Sequence, residues 1–482
     1  VLELIEMPAS KITIMDFTDN RHRVRPALRR GVRYVVDRVT KENYRKLLSK
    51  YAGPGDMIID LAWNIDCCAI VQWCRDNQVL YVNTSVEEWD PYRDQDRRDP
   101  TQYTLYARHM QIKKMLAGWK DNRGTTAIVD HGATPGLVSH FTKKALIDIA
   151  RKIIKEKPRD ARRGLIEQAL AGKDFAKLAQ LEGVKVIHIS ERDTQITGDP
   201  KKENEFVNTW SIEGFYEEGV APAEMGWGTH ERFVPPDAHF HKSGPKNQIC
   251  LATTGMKTWV RSWVPCGEIT GMVIRHGEAY SLSDRLTVWQ DGTAVYRPTV
   301  HYAYCPSDSA INSLHELEMR QYRLQEKQRI MSDEIIGGRD ELGVLLMGHD
   351  FNAWWTGSIL DIHRARKLVP HQNATTVQVA ISVVAAALWM IRNPNSGFRL
   401  PDDIDHEAIL KTVMPFIKPF VSKPVDWTPL KNLNTQYTKF GAAAKTERVD
   451  PWQFTTFMVN CPRRVPIGSA CDDAPLAEVI KV

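Results

Sequence analysis

The chain holds 482 residues, of which 43% are hydrophobic and 26% are charged. This length suggests two or three globular domains. Its 64 basic and 59 acidic side chains nearly balance, and no run of lysine or arginine indicates a nucleic-acid-binding arm. The eight cysteines include no CxxC pair, which argues against a disulfide framework and a zinc site. We therefore expect reduced thiols, a cytoplasmic protein and no bound metal.

The first part of the chain alternates strands with helices. The sequence predicts strands at 11–17, 32–39, 57–63, 79–86 and 125–132, with helices at 41–50, 67–76 and 100–119. Such alternation implies βαβ units and a mainly parallel sheet. Ligands of these sheets bind beyond the carboxyl ends of the strands, which fall here at Asp16, Asn64, 84–89 and 131–136. Asp16 is expected either to bind the ribose hydroxyls of NAD or to be an exposed turn residue.

The start of the chain is unusual for such a domain. Residues 1–17, VLELIEMPASKITIMDF, resemble the end of a helix running into a strand. In a Rossmann domain a GxGxxG phosphate-binding turn precedes the acid-bearing strand, and this sequence has none. We therefore expect the first strand and its glycine-rich loop to lie upstream of residue 1.

Beyond residue 136 the pattern changes. Helices are predicted at 137–155 and 162–180, a strand at 183–193, and a largely antiparallel strand-rich region at 248–304. The apolar stretch 379–391 is too short to span a membrane and predicts a buried helix. The expected fold class is α/β: a Rossmann-like NAD-binding domain at 1–140, an α+β domain with a largely antiparallel sheet at 141–370, and a C-terminal helical segment at 371–482 that returns partly to the NAD domain.

Acidic and aromatic residues occur together in several segments. Residues 208–231, NTWSIEGFYEEGVAPAEMGWGTHE, hold two tryptophans and five glutamates but no lysine or arginine, and further acids follow predicted strands in TSVEEWD and SERD. Carboxylates hold an ammonium group by charge-assisted hydrogen bonds, and an indole face holds it by cation–π attraction of about 0.5–2 kcal/mol. The combination suggests a small diamine as ligand. The alternative for each residue is an ordinary surface acid or a core tryptophan.

Longer segments resemble the bacterial homospermidine synthase family, within the saccharopine dehydrogenase-like group: RVTKENYRKLL, VNTSVEEWD, DHGATPGLVSHF, HISERDTQ, NEFVNTWSIEGFYEEG, EMGWGTHE and HQNATTVQVA. The resemblance implies NAD as cofactor and a homodimer formed through the α+β domain. It also implies a reaction that joins two putrescines, or putrescine and spermidine, through an imine. Ammonia or diaminopropane leaves, and NAD is reduced and reoxidised within one cycle. Neither nucleic acid nor a membrane is an expected partner.

The resemblance further implies individual site residues. Those expected on the substrate side are Glu87, Glu191, Trp210, Glu218, His276 and Asp340. Those expected on the cofactor side follow instead from their place at the carboxyl ends of the predicted strands, and they are Asp16, Asn64, Thr84, His131, Thr134, Pro135 and Gly136. The family often has asparagine at the position of Thr134 and an acid near that of Asn64, so the preferred amine stays open. The general base is either Glu87 or His276.

Two other functions stay open. A related dehydrogenase of saccharopine or carboxynorspermidine type would reduce an imine with net use of a nicotinamide cofactor. Its substrate carries a carboxylate and needs arginine or lysine in the pocket, for which Arg192 and Arg275 are the nearest candidates in the acid-rich segments. A non-catalytic polyamine-binding protein would keep the acids and the tryptophan without the chemistry.

Overall fold

The computed structural model describes residues 1–91, 99–431, 450–459 and 465–467. The strands are β1 (Thr13–Asp16), β2 (Arg33–Val36), β3 (Met57–Asp60), β4 (Leu80–Asn83), β5 (Gly124–Ile128), β6 (Val186–Asp193), β7 (Ile196–Thr197), β8 (Glu205–Asn208), β9 (Pro222–Gly226), β10 (Phe233–Val234), β11 (Ala238–Phe240), β12 (Gln248–Thr254), β13 (Trp259–Val264), β14 (Gly267–Met272), β15 (Val288–Gln290), β16 (Thr293–Tyr296), β17 (Thr299–Cys305), β18 (Lys327–Ile330), β19 (Ile335–Gly337), β20 (Arg339–His349), β21 (Asn352–Asp361), β22 (Ser396–Arg399), β23 (Phe420–Val425) and β24 (Val465–Pro466). The α-helices are α1 (Arg25–Arg29), α2 (Tyr44–Tyr51), α3 (Cys67–Asp76), α4 (Leu105–Ala117), α5 (Leu137–Glu156), α6 (Arg163–Ala171), α7 (Phe175–Glu182), α8 (Ile212–Val220), α9 (Gly277–Arg285), α10 (Asp308–Met319), α11 (Ile362–Leu368), α12 (Ala374–Arg392), α13 (His406–Val413) and α14 (Phe454–Phe457).

The N-terminal strands form two parallel sheets. The larger has the order β22-β5-β4-β3, and the smaller consists of β1 and β2. The predicted strands are present, and the predicted parallel arrangement is confirmed within each sheet. The two sheets share no strand pairing among the described residues, because β1 forms its ladder with β2 alone. Asp16 therefore ends a strand of the small sheet and not of the sheet that carries the other strand-end residues.

A ten-stranded, largely antiparallel sheet forms the second part of the fold. Eight strands follow the order β11-β12-β9-β17-β6-β20-β21-β23, and the β13–β14 pair joins through β17. Only β17 and β6 run parallel within it among the described strands. Helix α5 packs against β20 and β21, and its buried side chains share one core with β6 and β17. The predicted fold class, a Rossmann-like domain plus a second domain with a largely antiparallel sheet, is confirmed.

The C-terminal part contributes to both sheets. β22 pairs with β5 of the parallel sheet, whereas β23 pairs with β21 of the large sheet. Between them α12 packs against β4, β5 and β20. This helix is long and apolar enough to cross a membrane, but 61% of its most apolar window is buried inside the protein. The structure thus places it as the buried helix that the sequence predicts.

The main local difference from prediction concerns residues 276–285. The sequence predicts a turn at HGE within a strand-rich region, but the chain forms the buried helix α9 there. The Nδ1 atom of His276 accepts a hydrogen bond from the backbone N–H of Glu278 and so caps the helix start. Helix formation follows from burial of nearly every residue from Gly277 to Ser283, a tertiary effect that a short sequence window does not contain.

Candidate functional site

Three neighbouring strands of the large sheet place acids and tyrosines on one face. Glu191 and Asp193 lie two residues apart on β6, and side chains with this spacing share a face of a strand. In the strand register Tyr304 is opposite Glu191 on one side, and Asp340 is opposite Asp193 on the other. The central strands of the sheet therefore bring together groups that are far apart in sequence.

The three acids of these strands carry little compensating charge. No described lysine or arginine lies in ion-pair contact with Glu191, Asp193 or Asp340, because their contacts are hydroxyl, amide and backbone groups. Burial, together with the charge of Asp193, raises the pKa of Glu191 to about 8. Burial and the charges of Glu191 and Asp193 likewise raise the pKa of Asp340 well above its usual range. A buried cation would relieve this mutual repulsion.

Aromatic side chains form a wall beside the acids. The indole N–H of Trp210 donates to the hydroxyl of Tyr304 at 2.9 Å, and its ring lies 5.3 Å from that of Phe215. Tyr302 and Tyr304 stack with ring centroids 5.3 Å apart. Trp210 is partly exposed, whereas both tyrosines are buried. The geometry leaves part of the indole available to a ligand, as a cation–π seat requires.

Helix α8 carries two further acids toward the same region. Ser211 caps its N-terminus by accepting from the N–H of Gly214. Near its other end, Glu218 is partly buried, and burial together with the charges of Glu217, Glu87 and Glu191 raises its pKa well above the usual range. Because the charges of both Glu87 and Glu191 act on it, Glu218 connects the acids of the large sheet with the edge of the parallel sheet.

Two buried arginines neutralise the neighbouring acids. Arg108 contacts Glu217 at 2.5 Å and Glu87 at 3.7 Å, and Arg275 also pairs with Glu217. Burial alone would raise the pKa of Glu217, but Arg275 and Arg108 lower it to about 2. For Glu87, burial and the charge of Glu217 outweigh Arg108, so that its pKa is raised. Glu217 therefore stays ionised, whereas the raised pKa of Glu87 makes this carboxyl group the more basic of the two.

His276 lies at the junction between the two parts of the site. Its ring contacts that of Tyr302 edge-on at 4.7 Å, and burial lowers its pKa to about 3, so the imidazole is neutral. Next to it, the carboxylate of Glu278 accepts hydrogen bonds from the N–H groups of Gly136 and Ser139 at 2.9 and 3.0 Å. Both donors belong to the start of α5, where the helix dipole favours an anion, but burial outweighs them and raises the pKa of Glu278 well above its usual range.

The turn before α5 brings three of the expected cofactor residues together. The Thr134–Pro135 peptide is cis, and Gly136 has φ +130°, a conformation that favours glycine. The hydroxyl of Thr134 lies 2.9 Å from that of Tyr302. This contact joins the edge of the parallel sheet to the acid cluster.

The remaining expected residues divide into two groups. Asn64 donates its N–H to Glu87 at 3.4 Å, and Thr84 follows β4 at the same sheet edge. By contrast, His131 is fully buried, with one ring nitrogen 3.1 Å from His140 and the other 3.0 Å from Ser382. Asp16 accepts hydrogen bonds from Thr18 and Asn20 at the end of the separate sheet. The structure thus brings the substrate-side residues close to Asn64, Thr84 and the turn at 134–136. His131 lies in the core instead, and Asp16 lies on the separate small sheet.

Sequence reasoning missed several residues of this constellation. Asp193, Tyr302, Tyr304 and Arg108 lie beside the expected residues and are absent from the sequence-based expectations, and the pairing of Glu217 with two arginines is absent from them as well. One available signal was the strand TVHYAYC, in which Tyr302 and Tyr304 share a face by alternation. No comparable signal marked Arg108, because it follows from the packing of α4 against the rest of the site.

Similar proteins were found by family, sequence and structure. The family model for the saccharopine dehydrogenase NADP binding domain matches residues 1–128, and the model for the saccharopine dehydrogenase C-terminal domain matches residues 132–423. The homospermidine synthase of Blastochloris viridis is 40% identical over 460 residues, which cover 94% of this chain and 92% of that protein. That of Mesorhizobium japonicum is 38% identical over 462 residues, covering 94% and 91%. The chain belongs to the homospermidine synthase family.

A solved structure supports the same assignment. The homospermidine synthase of Legionella pneumophila in complex with NAD superposes with a TM-score of 0.81 at 36% identity, covering 94% of this chain and 93% of that chain. Membership of the homospermidine synthase family confirms the resemblance predicted from the sequence.

Proposed function

We propose that this protein is a homospermidine synthase that joins two putrescines, or putrescine and spermidine, with NAD as its cofactor. One observation carries the proposal: the buried carboxyl groups of Glu191, Asp193 and Asp340 and the partly buried one of Glu218 have no ion-pair partner among the described residues. Repulsion within such a set is relieved by bound ammonium groups. A diamine supplies two of them on an apolar stem.

The individual seats follow from the contacts of these acids. Asp340 uses one oxygen to accept from Thr375 at 2.8 Å and leaves its buried Oδ1 without a hydrogen-bond partner. Asp193 has both oxygens engaged, by Thr209 and Gln195. We therefore assign ammonium binding to Asp340, Glu191 and Glu218. Asp193 is assigned a structural role, in which it holds the neighbouring backbone and side chains in place. The exposed face of Trp210 holds a cationic group by cation–π attraction.

The edge of the parallel sheet suits a nicotinamide nucleotide. Asn64 has a buried Oδ1 without a partner, Thr84 ends the adjacent strand, and Asp16 offers a carboxylate at the end of β1. We assign the cofactor to these residues and to the Thr134–Gly136 turn, whereas His131 acts from within the core by supporting that turn. When bound, NAD accepts a hydride from the carbon next to the reacting amine and later returns it to the imine formed between the two substrates.

The side chains of the protein handle protons and charge in this chemistry. The reacting amine must lose its proton before its carbon can give up a hydride, and we assign Glu87 to take it, because burial and the charge of Glu217 raise its pKa and so make it a stronger base than an exposed carboxylate. His276 is neutral and makes a helix cap through Nδ1, so it acts as a polar wall rather than as the base. The acids stabilise the cationic imine, and their burial keeps water from hydrolysing it.

The acidic site argues against a carboxylate-bearing substrate. Arg275 and Arg108 are already paired with Glu217, and Arg192 contacts Cys305 and Asp308. None of these three arginines is therefore available without breaking an existing contact. This favours a diamine over the saccharopine or carboxynorspermidine type of substrate.

We also propose the remaining properties of the protein. The division at 1–140, 141–370 and 371–482 gives a cofactor domain, a substrate and dimerisation domain, and a C-terminal segment shared between them. The protein acts in the cytoplasm, which is supported by the six described cysteines being free thiols, and it acts as a homodimer, as expected from its family. Light scattering after size-exclusion chromatography measures the mass, and a monomer at micromolar concentration would contradict the dimer.

Incubation with putrescine and NAD, followed by mass spectrometry, tests the proposed activity. The protein should form homospermidine and ammonia without accumulating NADH. Glu191→Gln, which preserves shape and removes charge, should reduce the rate at least tenfold, whereas Glu213→Gln on the outer part of α8 should retain it. Product formation from Glu191→Gln at the wild-type rate would show that this acid does not bind the diamine. Steady accumulation of NADH without homospermidine would indicate an ordinary dehydrogenase.

A further inference from the structure

Two hydroxyl groups connect the turn before α5 with the acid cluster. The Tyr302 hydroxyl donates a hydrogen bond to Oε2 of Glu191 and lies 2.9 Å from Oγ1 of Thr134. Tyr302 is 3% exposed, and its phenol has no other described hydrogen-bond partner. The chain Thr134–Tyr302–Glu191 thus runs from the expected cofactor edge to the expected ammonium seat.

The direction of the hydrogen bonds follows from counting protons. A phenol has one O–H, and in Tyr302 it is used by the carboxylate of Glu191. The contact with Thr134 must then be donated by the threonine hydroxyl to the phenol oxygen. Both hydroxyl dipoles point toward Glu191, so these two consecutive hydrogen bonds favour its ionised carboxylate over the neutral acid.

Burial and most of the other groups around Glu191 act in the opposite direction, except that a side-chain hydrogen bond with Asp340 also favours the ionised form. The groups that face Glu191 are Asp193 on its own strand, Asp340 on β20, Tyr304 on β17 and Glu218 on α8, while the ring of His276 packs behind Tyr302. None of them contributes a positive charge, since His276 is neutral. The hydrogen bond from Tyr302 favours ionisation more strongly than that from Asp340, and burial with the charge of Asp193 still leaves the pKa of Glu191 at about 8.

We propose that Tyr302, supported by Thr134, is a positioning residue that holds Glu191 in the orientation and charge state needed to bind an ammonium group. This inference rests on the proposed function, because it assumes that Glu191 binds the diamine. It adds a specific consequence: binding of the diamine ionises Glu191 and releases its proton, and the pH at which this release ends depends on Tyr302.

Proton release on putrescine binding tests the inference. The protein is loaded with NADH, so that no hydride acceptor is present and turnover does not begin. Calorimetry in two buffers of different ionisation enthalpy gives the number of protons released at each pH. Release should decline around pH 8 in the wild type and around a pH about one to two units higher in Tyr302→Phe, the range expected for one lost hydrogen bond to a charged group.

Three further variants distinguish the effect of the Tyr302 hydrogen bond from a general packing effect. Thr134→Val keeps the shape of the side chain and should move the pH midpoint of proton release in the same direction by a smaller amount. This variant tests the inference even if Tyr302→Phe does not fold. Tyr304→Phe alters the neighbouring tyrosine, whose hydroxyl accepts from Trp210, and should leave the midpoint in place. Glu191→Gln should remove this phase of proton release.

Specific results would overturn the inference. An unchanged midpoint in both Tyr302→Phe and Thr134→Val, in a protein that makes homospermidine, would refute the role of Tyr302 and leave the proposed function intact. An equal shift in Tyr304→Phe would refute it as well, since repacking alone would then explain the change. Failure of the wild-type protein to make homospermidine would instead refute the proposed function and this inference with it.

Discussion

Trp210 is the residue at which packing and binding are most readily separated. Its ring is partly exposed and packs on Phe215, so truncation should cost less stability than the roughly 3–5 kcal/mol of a fully buried aromatic residue. If the indole seats an ammonium group, Trp210→Ala should reduce homospermidine formation about 10- to 30-fold, the upper range for a cation–π contact. Trp210→Phe should give an intermediate rate, because phenyl is the weaker π donor.

Product formation and melting temperature are to be measured on the same three proteins. A matching diol without charge should not inhibit any of them. A large fall in melting temperature with near-normal activity in the folded fraction would mean that Trp210 is a packing residue.

Glu217 illustrates the opposite case, an acid whose role is structural. It pairs with both Arg108 and Arg275, and its side chain is 7% exposed. Glu217→Gln leaves two buried guanidinium groups opposite a neutral amide, which should lower the free energy of unfolding by about 3 kcal/mol. Glu213→Gln, on the same helix but unpaired among the described contacts, should change it by less than about 1 kcal/mol. Denaturant titration of both variants measures the difference, and similar values for the two would contradict the assigned pairing.

At the scale of elements, the turn into α5 depends on Gly136. A Cβ atom there would lie 2.1 Å from the carbonyl oxygen of Gly132, and the φ of +130° is strained for other residues. Because the obstruction is backbone, Gly136→Ala must displace the turn and with it Thr134 and the contact of Glu278. We expect it to lower the free energy of unfolding by at least about 2 kcal/mol and to weaken NAD binding.

Gly164 provides the matched comparison for this prediction. It lies in α6 with open space where a Cβ would be added. Gly164→Ala should therefore stabilise the protein by up to about 1 kcal/mol, because alanine has the higher helix propensity. Thermal unfolding of both variants tests the expected loss of stability in Gly136→Ala and the expected gain in Gly164→Ala, and calorimetry tests NAD binding. Unchanged stability and NAD affinity in Gly136→Ala would show that the turn is not constrained as described.

At the scale of the whole molecule, the two sheets are tied together by the C-terminal part of the chain. Helix α12 packs against strands of both sheets, and β22 and β23 add one strand to each. Neither sheet can lose this segment without exposing its core, so we expect a single cooperative thermal transition. Differential scanning calorimetry should give one peak whose calorimetric and van't Hoff enthalpies agree. Two resolved peaks would indicate that the sheets unfold independently.

The order of local strands and helices and the family follow from the amino-acid sequence alone. Alternating strands and helices before residue 132 were predicted within a few residues, because hydrophobic periodicity and turn residues act over short windows. The motifs that surround Glu87, Glu191 and Trp210 were sufficient to identify homospermidine synthases as relatives. The clustering of glutamates with tryptophan also predicted an acidic, aromatic site for an ammonium-bearing ligand, since glutamate is seldom buried in an ordinary core.

Which of these residues come into contact depends on the packing of the whole fold. Strand register places Tyr302 and Tyr304 beside Glu191 on β6, and helix packing gives Glu217 two arginine partners that turn it from a candidate ligand into a structural acid. Burial converts the HGE turn into α9 and takes His131 into the core. These outcomes depend mainly on contacts between residues far apart in sequence, such as Glu191 with Tyr302 and Glu217 with Arg108, and the free energy of such contacts is set by the packed fold rather than by neighbouring residues.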